Sequence, residues 1–236
     1  YEGRLKIGGV KLILDGSPQG KTAYLTEPYY KPPHNESDSY KGYPLIPQSE
    51  VSKWVKKYAD LNIPIMAHAN GDAAADMLIK AVKDADITSD HRTIMIHAQT
   101  VREDQLDQMN ELKIIPSYFS THTFYWGDWH RDSVFGEDRA MRISPTKSTL
   151  KRKMPFTVHN DAPVVPPDMI RLLWSTTNRK TRSGKVLGEE QKISTYSALE
   201  AMTINAAYQH FEDGIKGTIE VGKQADLVVL SQDPLS

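Results

Sequence analysis

The sequence predicts an α/β fold, the C-terminal part of a (β/α)8 barrel of the TIM type followed by a short β hairpin. Short apolar runs alternate with helical stretches, which is typical of strand–helix units repeated on a parallel sheet. Five such runs precede the tail, whereas a closed barrel of this type needs eight strands. Residues 217–230 then change to apolar runs separated by glycine, a pattern that indicates a hairpin of an all-β element.

The predicted elements follow one another along the chain, with two long segments between them. Strands are expected over residues 10–14, 63–67, 93–96, 114–117 and 156–158. Helices are expected after Ser49, a suitable N-cap, and over residues 72–85, 102–112, 144–151, 169–177 and 194–204, with 205–211 continuing the last helix or following a break. Residues 19–47 are too long for a simple connector and are predicted to form an active-site loop, and residues 122–130 to form a second, aromatic loop.

Composition and charge are those of an ordinary globular protein, with 39% hydrophobic and 25% charged residues. The 29 lysines and arginines nearly balance the 30 aspartates and glutamates, so neither nucleic acid nor an anionic membrane is an expected partner. No apolar run approaches the roughly 20 residues of a membrane span. The chain has no cysteine, which excludes disulfides and thiolate metal sites and fits a reducing compartment such as the cytoplasm.

Metal-competent side chains follow three of the predicted strands. His68 comes after the strand at 63–67, His97 after the strand at 93–96, and Asp161 shortly after the strand at 156–158. The C-terminal ends of parallel barrel strands open on one face, so these side chains are expected to converge there. Imidazole and carboxylate are the usual ligands of Zn²⁺. A single histidine after a buried strand is more often a satisfied polar residue, so the repeated placement carries this prediction.

Further polar and aromatic residues are candidates for contact with a small-molecule substrate. His122 and Trp126 lie in the aromatic segment and are expected to line an apolar pocket, although the segment equally suits a lid packed on the barrel. His159 precedes Asp161 by two residues and would share its face of a strand, so it is expected to support the site or to contact substrate.

Several motifs resemble the amidohydrolase superfamily, and most closely its amidohydrolase-3 branch, which includes N-substituted formamide deformylase-like proteins. The motifs are VKLILDGS at 10–17, AHANGD at 67–72, IHAQ at 96–99 and NDAP at 160–163. TINAA at 203–207 and residues 217–230 look like the superfamily's C-terminal signature, where the chain leaves the barrel and joins a small β-sandwich. The resemblance implies that residues 1–212 are about strands 4 to 8 of the barrel and residues 213–236 the start of the β-sandwich.

The resemblance also implies a hydrolase that cleaves a non-peptide carbon–nitrogen bond with a metal-activated water. His68 and His97 would be ligands of one or two divalent ions, expected to be Zn²⁺. Asp161 would bind the metal and take a proton from the attacking water. Lys11 takes the place of a lysine that reacts with CO₂ in binuclear members, and the carbamylated side chain is an anion able to bridge two cations.

Two other interpretations of the lysines stay open at this point. Lys6 is close to Lys11 in the sequence and is therefore an alternative candidate for carbamylation, although the residues around it are less typical of a strand. An inward-facing Lys11 that merely pairs with Asp15 is the structural alternative.

The sequence departs from the family pattern in one respect, since it has no His-x-His pair. We therefore expect a fragment that holds part of a binuclear site and associates with the missing N-terminal half or as a homo-oligomer, because an open sheet edge invites pairing. Two alternative functions are an esterase or lactonase of the same fold and a metal-free regulatory or ligand-binding protein, since fold alone does not fix function.

Overall fold

A sheet of five parallel strands organises the computed structural model, which describes residues 5–235. The strands lie side by side in the order in which they occur in the sequence. They are β1 (Val10–Ile13), β2 (Ile65–Ala69), β3 (Ile94–His97), β4 (Ile115–Tyr118) and β5 (Thr157–Val158). The predicted parallel α/β arrangement is confirmed, while closure into a barrel stays a prediction.

Helices connect the successive strands, and more helices follow the last strand. They are α1 (Gln48–Asp60), α2 (Asp72–Ala85), α3 (Glu103–Glu111), α4 (His122–Trp129), α5 (Glu137–Ala140), α6 (Thr146–Lys151), α7 (Met169–Asn178), α8 (Thr195–Met202) and α9 (Ile204–Gln209). A π-helical turn covers His130–Val134, and a 3-10 turn covers Glu189–Gln191. Within residues 5–235, none of the helices combines the length and apolarity needed to cross a bilayer.

The two faces of the sheet have different surroundings because side chains alternate along a strand. In β2, Ile65, Ala67 and Ala69 are buried in the main hydrophobic core between sheet and helices. His68 points to the opposite face, and its register partner on β1 is Ile13. Lys11 is exposed on that same face of β1. The face opposite the core therefore carries the polar residues of the first two strands.

Most element boundaries agree with the sequence prediction to within two residues. The helix expected over 72–85 is α2 as observed. Of the two alternatives for residues 205–211, the structure shows the break, which lies at Thr203, where the backbone departs from helical geometry. The first helix begins at Gln48 with Pro47 at its N-cap position, so Ser49 lies inside the first turn and does not cap the helix. A polar first turn does not by itself specify which residue leaves helical geometry.

The C-terminal segment differs from the prediction, because residues 217–230 contain no strand where a hairpin was expected. Ile219 and Val229 are 89% and 98% exposed, so their apolar side chains pack on nothing in the described structure. An isolated two-stranded hairpin is at best marginally stable without a third strand or a packed face. The hairpin prediction is therefore wrong for this chain as described.

The predicted division into residues 1–212 and 213–236 stays a prediction. Residues 1–4 and residue 236, at the outer ends of these two ranges, lie outside the described residues.

Candidate functional site

Three of the predicted ligands lie together at the C-terminal edge of the sheet. His68 is the fourth residue of β2, His97 is the last residue of β3, and Asp161 follows β5 by three residues. The Nε2 atom of His97 lies 3.0 Å from Nδ1 of His68 and 4.0 Å from Oδ2 of Asp161. Side chains from three separate strands thus meet around one nitrogen atom. Their roles as metal ligands stay predictions.

The backbone of His97 explains how its side chain reaches this point. The strand register pairs His97 with Ala69, a residue of the hydrophobic core. His97 has a φ of 74°, in the left-handed region that residues other than glycine seldom adopt. This turn takes the imidazole out of the regular alternation and places it beside His68. Asp161 has a φ of 53°, and such conformations cost roughly 1–3 kcal/mol each and cluster at functional sites.

The protonation of His68 follows from its neighbours. Its Nε2 atom lies 2.9 Å from the main-chain carbonyl oxygen of Gly16. The side-chain amide nitrogen of Asn70 lies 3.0 Å from the same Nε2 atom. A carbonyl only accepts, so in the tautomer that donates to Gly16 the proton is on Nε2 and Nδ1 presents its lone pair toward His97. Burial lowers the pKa of the His68 imidazole, which is therefore neutral at pH 7. A neutral imidazole with a free nitrogen is the form that binds a metal.

Asp15 anchors this part of the site, and the sequence analysis did not identify it as a site residue. Its carboxylate accepts the main-chain N–H groups of Tyr24, Asn70 and Gly71 at 3.0, 3.0 and 2.8 Å. These bonds join the end of β1 to the end of β2. Burial raises the pKa of Asp15 to about 7, although the three hydrogen bonds act in the opposite direction and lower it. The available sequence signal was an Asp-Gly pair directly after a strand.

On its Nδ1 side, away from His68, His97 is followed by a chain of hydrogen bonds through His159 and Ser117. Nδ1 of His97 lies 3.1 Å from Nε2 of His159, and Nδ1 of His159 lies 2.9 Å from Oγ of Ser117. The hydroxyl of Thr157 donates to Ser117 at 2.8 Å. Histidines that bind metals are commonly oriented by a partner on their second nitrogen. His159 lies on the second nitrogen of His97 in this way, and both its supporting role and its contact with substrate stay predictions.

We expect His159→Phe to lower the affinity for a divalent metal by about 10- to 100-fold, because the variant keeps a ring but loses the bond that orients His97. Competition with a chromophoric chelator measures this affinity. His159→Gln retains an amide group able to bond Nδ1 of His97, so it should recover part of the loss. Equal metal affinity in wild type and His159→Phe would contradict the supporting role.

Lys11 lies near the site but is bonded to none of its members. Burial is the main cause that lowers the pKa values of His68, His97 and His159, and the charge of Lys11 lowers all three further. No hydrogen bond or ion pair joins the Lys11 side chain to another of residues 5–235. Lys11 is exposed, and its charge acts on three buried imidazoles. This position is compatible with the predicted carbamylation.

The two other interpretations of the lysines do not agree with the structure. Lys6 donates to the carbonyl of His210 and contacts Glu212, both in the C-terminal segment, so it is turned away from the site. Asp15 is held by main-chain donors and forms no ion pair with Lys11, so the predicted alternative pairing is wrong.

The donor set is suitable for part of a metal centre. Two imidazoles and a carboxylate are a common ligand set of catalytic zinc, and tetrahedral ligands at about 2.0–2.1 Å from the ion lie roughly 3.3 Å from one another. The distances from Nε2 of His97 to Nδ1 of His68, 3.0 Å, and to Oδ2 of Asp161, 4.0 Å, lie on either side of that value. Burial lowers the pKa of His97 well below its usual value, which keeps the ring neutral. Within residues 5–235, no group of three or more His, Cys, Asp or Glu side chains is arranged so that it could hold a metal ion by itself.

The aromatic segment is helical, so the prediction of a loop over 122–130 is wrong. Residues 122–129 form α4, and the chain continues into the π-helical turn. Gly127 permits close packing on the segment after α7, since a Cβ atom there would lie 2.7 Å from the side chain of Thr181. Aromatic residues at helical spacing do not show by themselves whether they cover a core or line a loop.

His122 and Trp126 share one face of α4 and contact each other, with ring centroids 4.7 Å apart. His122 is 2% exposed and packs edge-on against Phe119, whose ring lies 6.0 Å from that of His97. The two predicted substrate contacts therefore belong to an aromatic wall that reaches the candidate ligands. Trp126 is partly exposed and His122 is buried, and their contact with substrate stays a prediction.

His130 is buried behind this wall, and its ring stacks on His122 at 5.2 Å with Nε2 2.9 Å from Nδ1 of His122. Nδ1 of His130 has no hydrogen-bond partner among the described residues. Burial lowers the pKa of His130 to about 3. The unfolded chain therefore binds a proton at this residue between pH 6.5 and about 3, where the folded protein does not.

We expect this difference to destabilise the protein as the pH falls, because a lowered histidine pKa contributes stability that is present above pH 6.5 and lost below it. Between pH 7.5 and 5.0, His130 should account for about 2 kcal/mol of the loss in free energy of unfolding. Urea unfolding at both pH values should show a correspondingly smaller loss for His130→Gln. The exposed His34→Gln serves as control, and an identical pH effect in all three proteins would contradict the assignment.

Comparison with known proteins finds a family and several relatives that are similar to this chain. The Amidohydrolase family model matches residues 2–236. YtcJ of Bacillus subtilis is 24% identical over 98% of this chain and 43% of its own length. The N-substituted formamide deformylase of Arthrobacter pascens is 25% identical over 98% of this chain and 42% of its own length. A metal-dependent hydrolase of Pyrococcus furiosus superposes with a TM-score of 0.84 at 29% identity, covering 100% of this chain and 47% of that one.

The match to the family model confirms the resemblance that the sequence motifs indicated. The chain spans less than half the length of these relatives. Since the family model matches nearly every residue, the chain belongs to the amidohydrolase family, in its amidohydrolase-3 branch.

Proposed function

We propose that the full-length protein is a metal-dependent hydrolase that cleaves an amide-like carbon–nitrogen bond. The observation that carries this proposal is the meeting of His68, His97 and Asp161 at one point of the sheet edge. The name of the Arthrobacter pascens relative, an N-substituted formamide deformylase, supports an amide as the bond that is broken. Metal dependence is supported by the Pyrococcus furiosus structure, described as a metal-dependent hydrolase.

In this proposal the neutral rings of His68 and His97 would hold a divalent ion through Nδ1 and Nε2, and Asp161 and carbamylated Lys11 would be further ligands. We take zinc as the expected ion, since two imidazoles and a carboxylate suit it. A divalent ion bound there would supply Lewis acidity and would lower the pKa of a water molecule to about 7.

Asp161 carries the proton transfer. Its side chain is 36% exposed whereas that of His97 is 3% exposed, so the carboxylate borders the open side of the site. Oδ2 takes a proton from the water whose oxygen bonds to the carbonyl carbon. The same carboxyl group then gives that proton to the nitrogen as the carbon–nitrogen bond breaks, so the products are a carboxylic acid and an amine.

One observation favours a second function, that of a metal-free ligand-binding protein. The hydrogen bonds from Ser117 through His159 and His97 to His68 and Gly16 can all be satisfied in a single direction without an ion. Metal content separates the two functions, because the binding protein would carry none.

The experiment that tests the proposal compares an N-substituted formamide with the formate ester of matching structure. The full-length protein loaded with Zn²⁺ should release amine from the formamide, and the apoprotein made by chelation should not. A metal-loaded protein that hydrolyses the ester alone would replace the amidase by an esterase. A protein that binds no metal at stoichiometric level would support the binding function instead.

A further inference from the structure

We propose that Arg171 and Arg182 form a subsite for a carboxylate group carried by the substrate, so that the preferred amide is an acidic one. The inference rests on the proposed hydrolysis for its place beside a reacting bond, but the subsite can be tested by binding alone. Its members are Arg171 and Trp174 of α7, Arg182 of the following segment, and Phe124 and Tyr125 of α4.

Both guanidinium groups lie over aromatic rings. Cζ of Arg171 is 4.7 Å from the ring centre of Phe124 and 5.5 Å from that of Trp174. Cζ of Arg182 is 5.0 Å from the ring centre of Tyr125 and 5.8 Å from that of Phe124. The ring of Phe124 is therefore close to both cations, and it packs edge-on against Trp174 at 5.7 Å. A guanidinium group that lies over an aromatic ring in this way keeps N–H donors available for a further partner.

These two arginines differ from the other arginines of residues 5–235 because their guanidinium groups have neither an ion pair nor a hydrogen bond. Five arginines of the described chain form ion pairs with carboxylates, namely Arg92, Arg102, Arg131, Arg142 and Arg152. Arg139 and Arg179 donate to main-chain carbonyls. Within residues 5–235, the guanidinium groups of Arg171 and Arg182 have neither an ion pair nor a hydrogen bond. Two positive charges therefore face the surface without compensation.

The cluster lies at the same edge of the sheet as the candidate ligands. Helix α4 begins four residues after β4 and carries Trp126, which contacts both Tyr125 at 5.7 Å and the aromatic wall beside His97. The first turn of α7 is held next to Asp161, because the side-chain amide of Asn160 donates to the carbonyl of Asp168 at 3.2 Å. Arg171 follows Asp168 by three residues, and its main-chain N–H donates to the Asp168 carboxylate.

The chemistry of the cluster selects a particular ligand. Two guanidinium edges without partners offer paired N–H donors, the arrangement that binds a carboxylate at two points. The rings of Phe124, Tyr125 and Trp174 suit a flat or apolar portion beside that charge. A substrate whose amide lies at His97 and whose carboxylate lies at Arg171 and Arg182 would use both the N–H donors and the aromatic rings. We therefore expect amides with a carboxylate substituent, such as N-acylated amino acids, to be preferred over neutral amides.

A matched pair of ligands tests this inference, namely N-formylphenylalanine and N-formyl-2-phenylethylamine, which differ only in the carboxylate. Full-length protein should bind the first at least 10-fold more tightly in calorimetry and hydrolyse it with a higher kcat/KM. The double variant Arg171→Gln, Arg182→Gln should lose this preference and retain its binding of the neutral ligand to within 3-fold. Lys180→Gln removes an exposed cation of the same segment as a control and should leave the preference intact.

Equal binding of the two ligands by the wild type, or a preference that survives in the double variant, would overturn the subsite. A double variant that loses both ligands to the same extent would also overturn it, because the arginines would then only support the fold. Preferential binding of N-formylphenylalanine without hydrolysis would uphold the subsite and count against the proposed hydrolase. Hydrolysis of both ligands without preference would uphold the proposed hydrolase and overturn the subsite.

Discussion

Replacement of Asp161 by asparagine is expected to lower kcat by about 10²- to 10⁴-fold, the range that proton transfer by a positioned side chain contributes. Asparagine has the same shape but cannot take a proton from water at Oδ2. The measurement is release of amine from an N-substituted formamide under substrate saturation. The large effect follows because one carboxyl group serves both proton transfers, so its loss affects the attack and the departure of the amine.

Asp168→Asn provides a matched control in the same segment. Asp168 caps α7 by accepting the main-chain N–H of Arg171 at 2.8 Å, and asparagine is an equally good N-cap. Stability and kcat should both be unchanged in this variant. Equal kcat values for Asp161→Asn and wild type, with metal content matched, would remove Asp161 from the proton transfer.

The second large effect is expected for His97→Asn, which should lower metal affinity by at least about 100-fold, beyond the usual loss for a residue that only supports a ligand. Asparagine tolerates the left-handed backbone better than most residues, so the φ of 74° can be kept while the imidazole is lost. Metal analysis of the purified variant after dialysis measures the effect, and the exposed His34→Asn is the control.

Full metal occupancy in His97→Asn would show that this ring is no ligand. A loss of metal together with a collapsed unfolding transition would leave the cause ambiguous, so the free energy of unfolding is measured on the same sample without metal. We expect that value to fall by less than about 2 kcal/mol, because removing the His97 ring costs hydrogen bonds to two neighbouring imidazoles at most.

The regular part of the fold could be predicted because its patterns are local. Helix α2 has a continuous apolar face and an acidic first residue, and its predicted bounds were those observed. The aromatic segment was misjudged because its helix depends on packing between Gly127 and Thr181, residues 54 positions apart in the chain. The tail was misjudged because its local pattern is that of a strand, but a strand needs a neighbour to pair with. The tail has no such neighbour among residues 5–235.

The candidate site could be predicted as far as strand ends determine it. His68, His97 and Asp161 were identified by their place after apolar runs, and the structure brings them together. The backbone turn that redirects His97 was not visible in the sequence, because the register alone puts this residue with the core. The contact of His159 with Ser117 joins residues 42 positions apart, and no local pattern encodes it.

Crystals of the full-length protein grown with Zn²⁺ test the central claim most directly, by anomalous scattering above and below the zinc edge. The account predicts a peak about 2.0–2.1 Å from both Nδ1 of His68 and Nε2 of His97, with Asp161 completing the contact. A map without a peak there, in which the two imidazoles remain joined by a direct hydrogen bond, would contradict it.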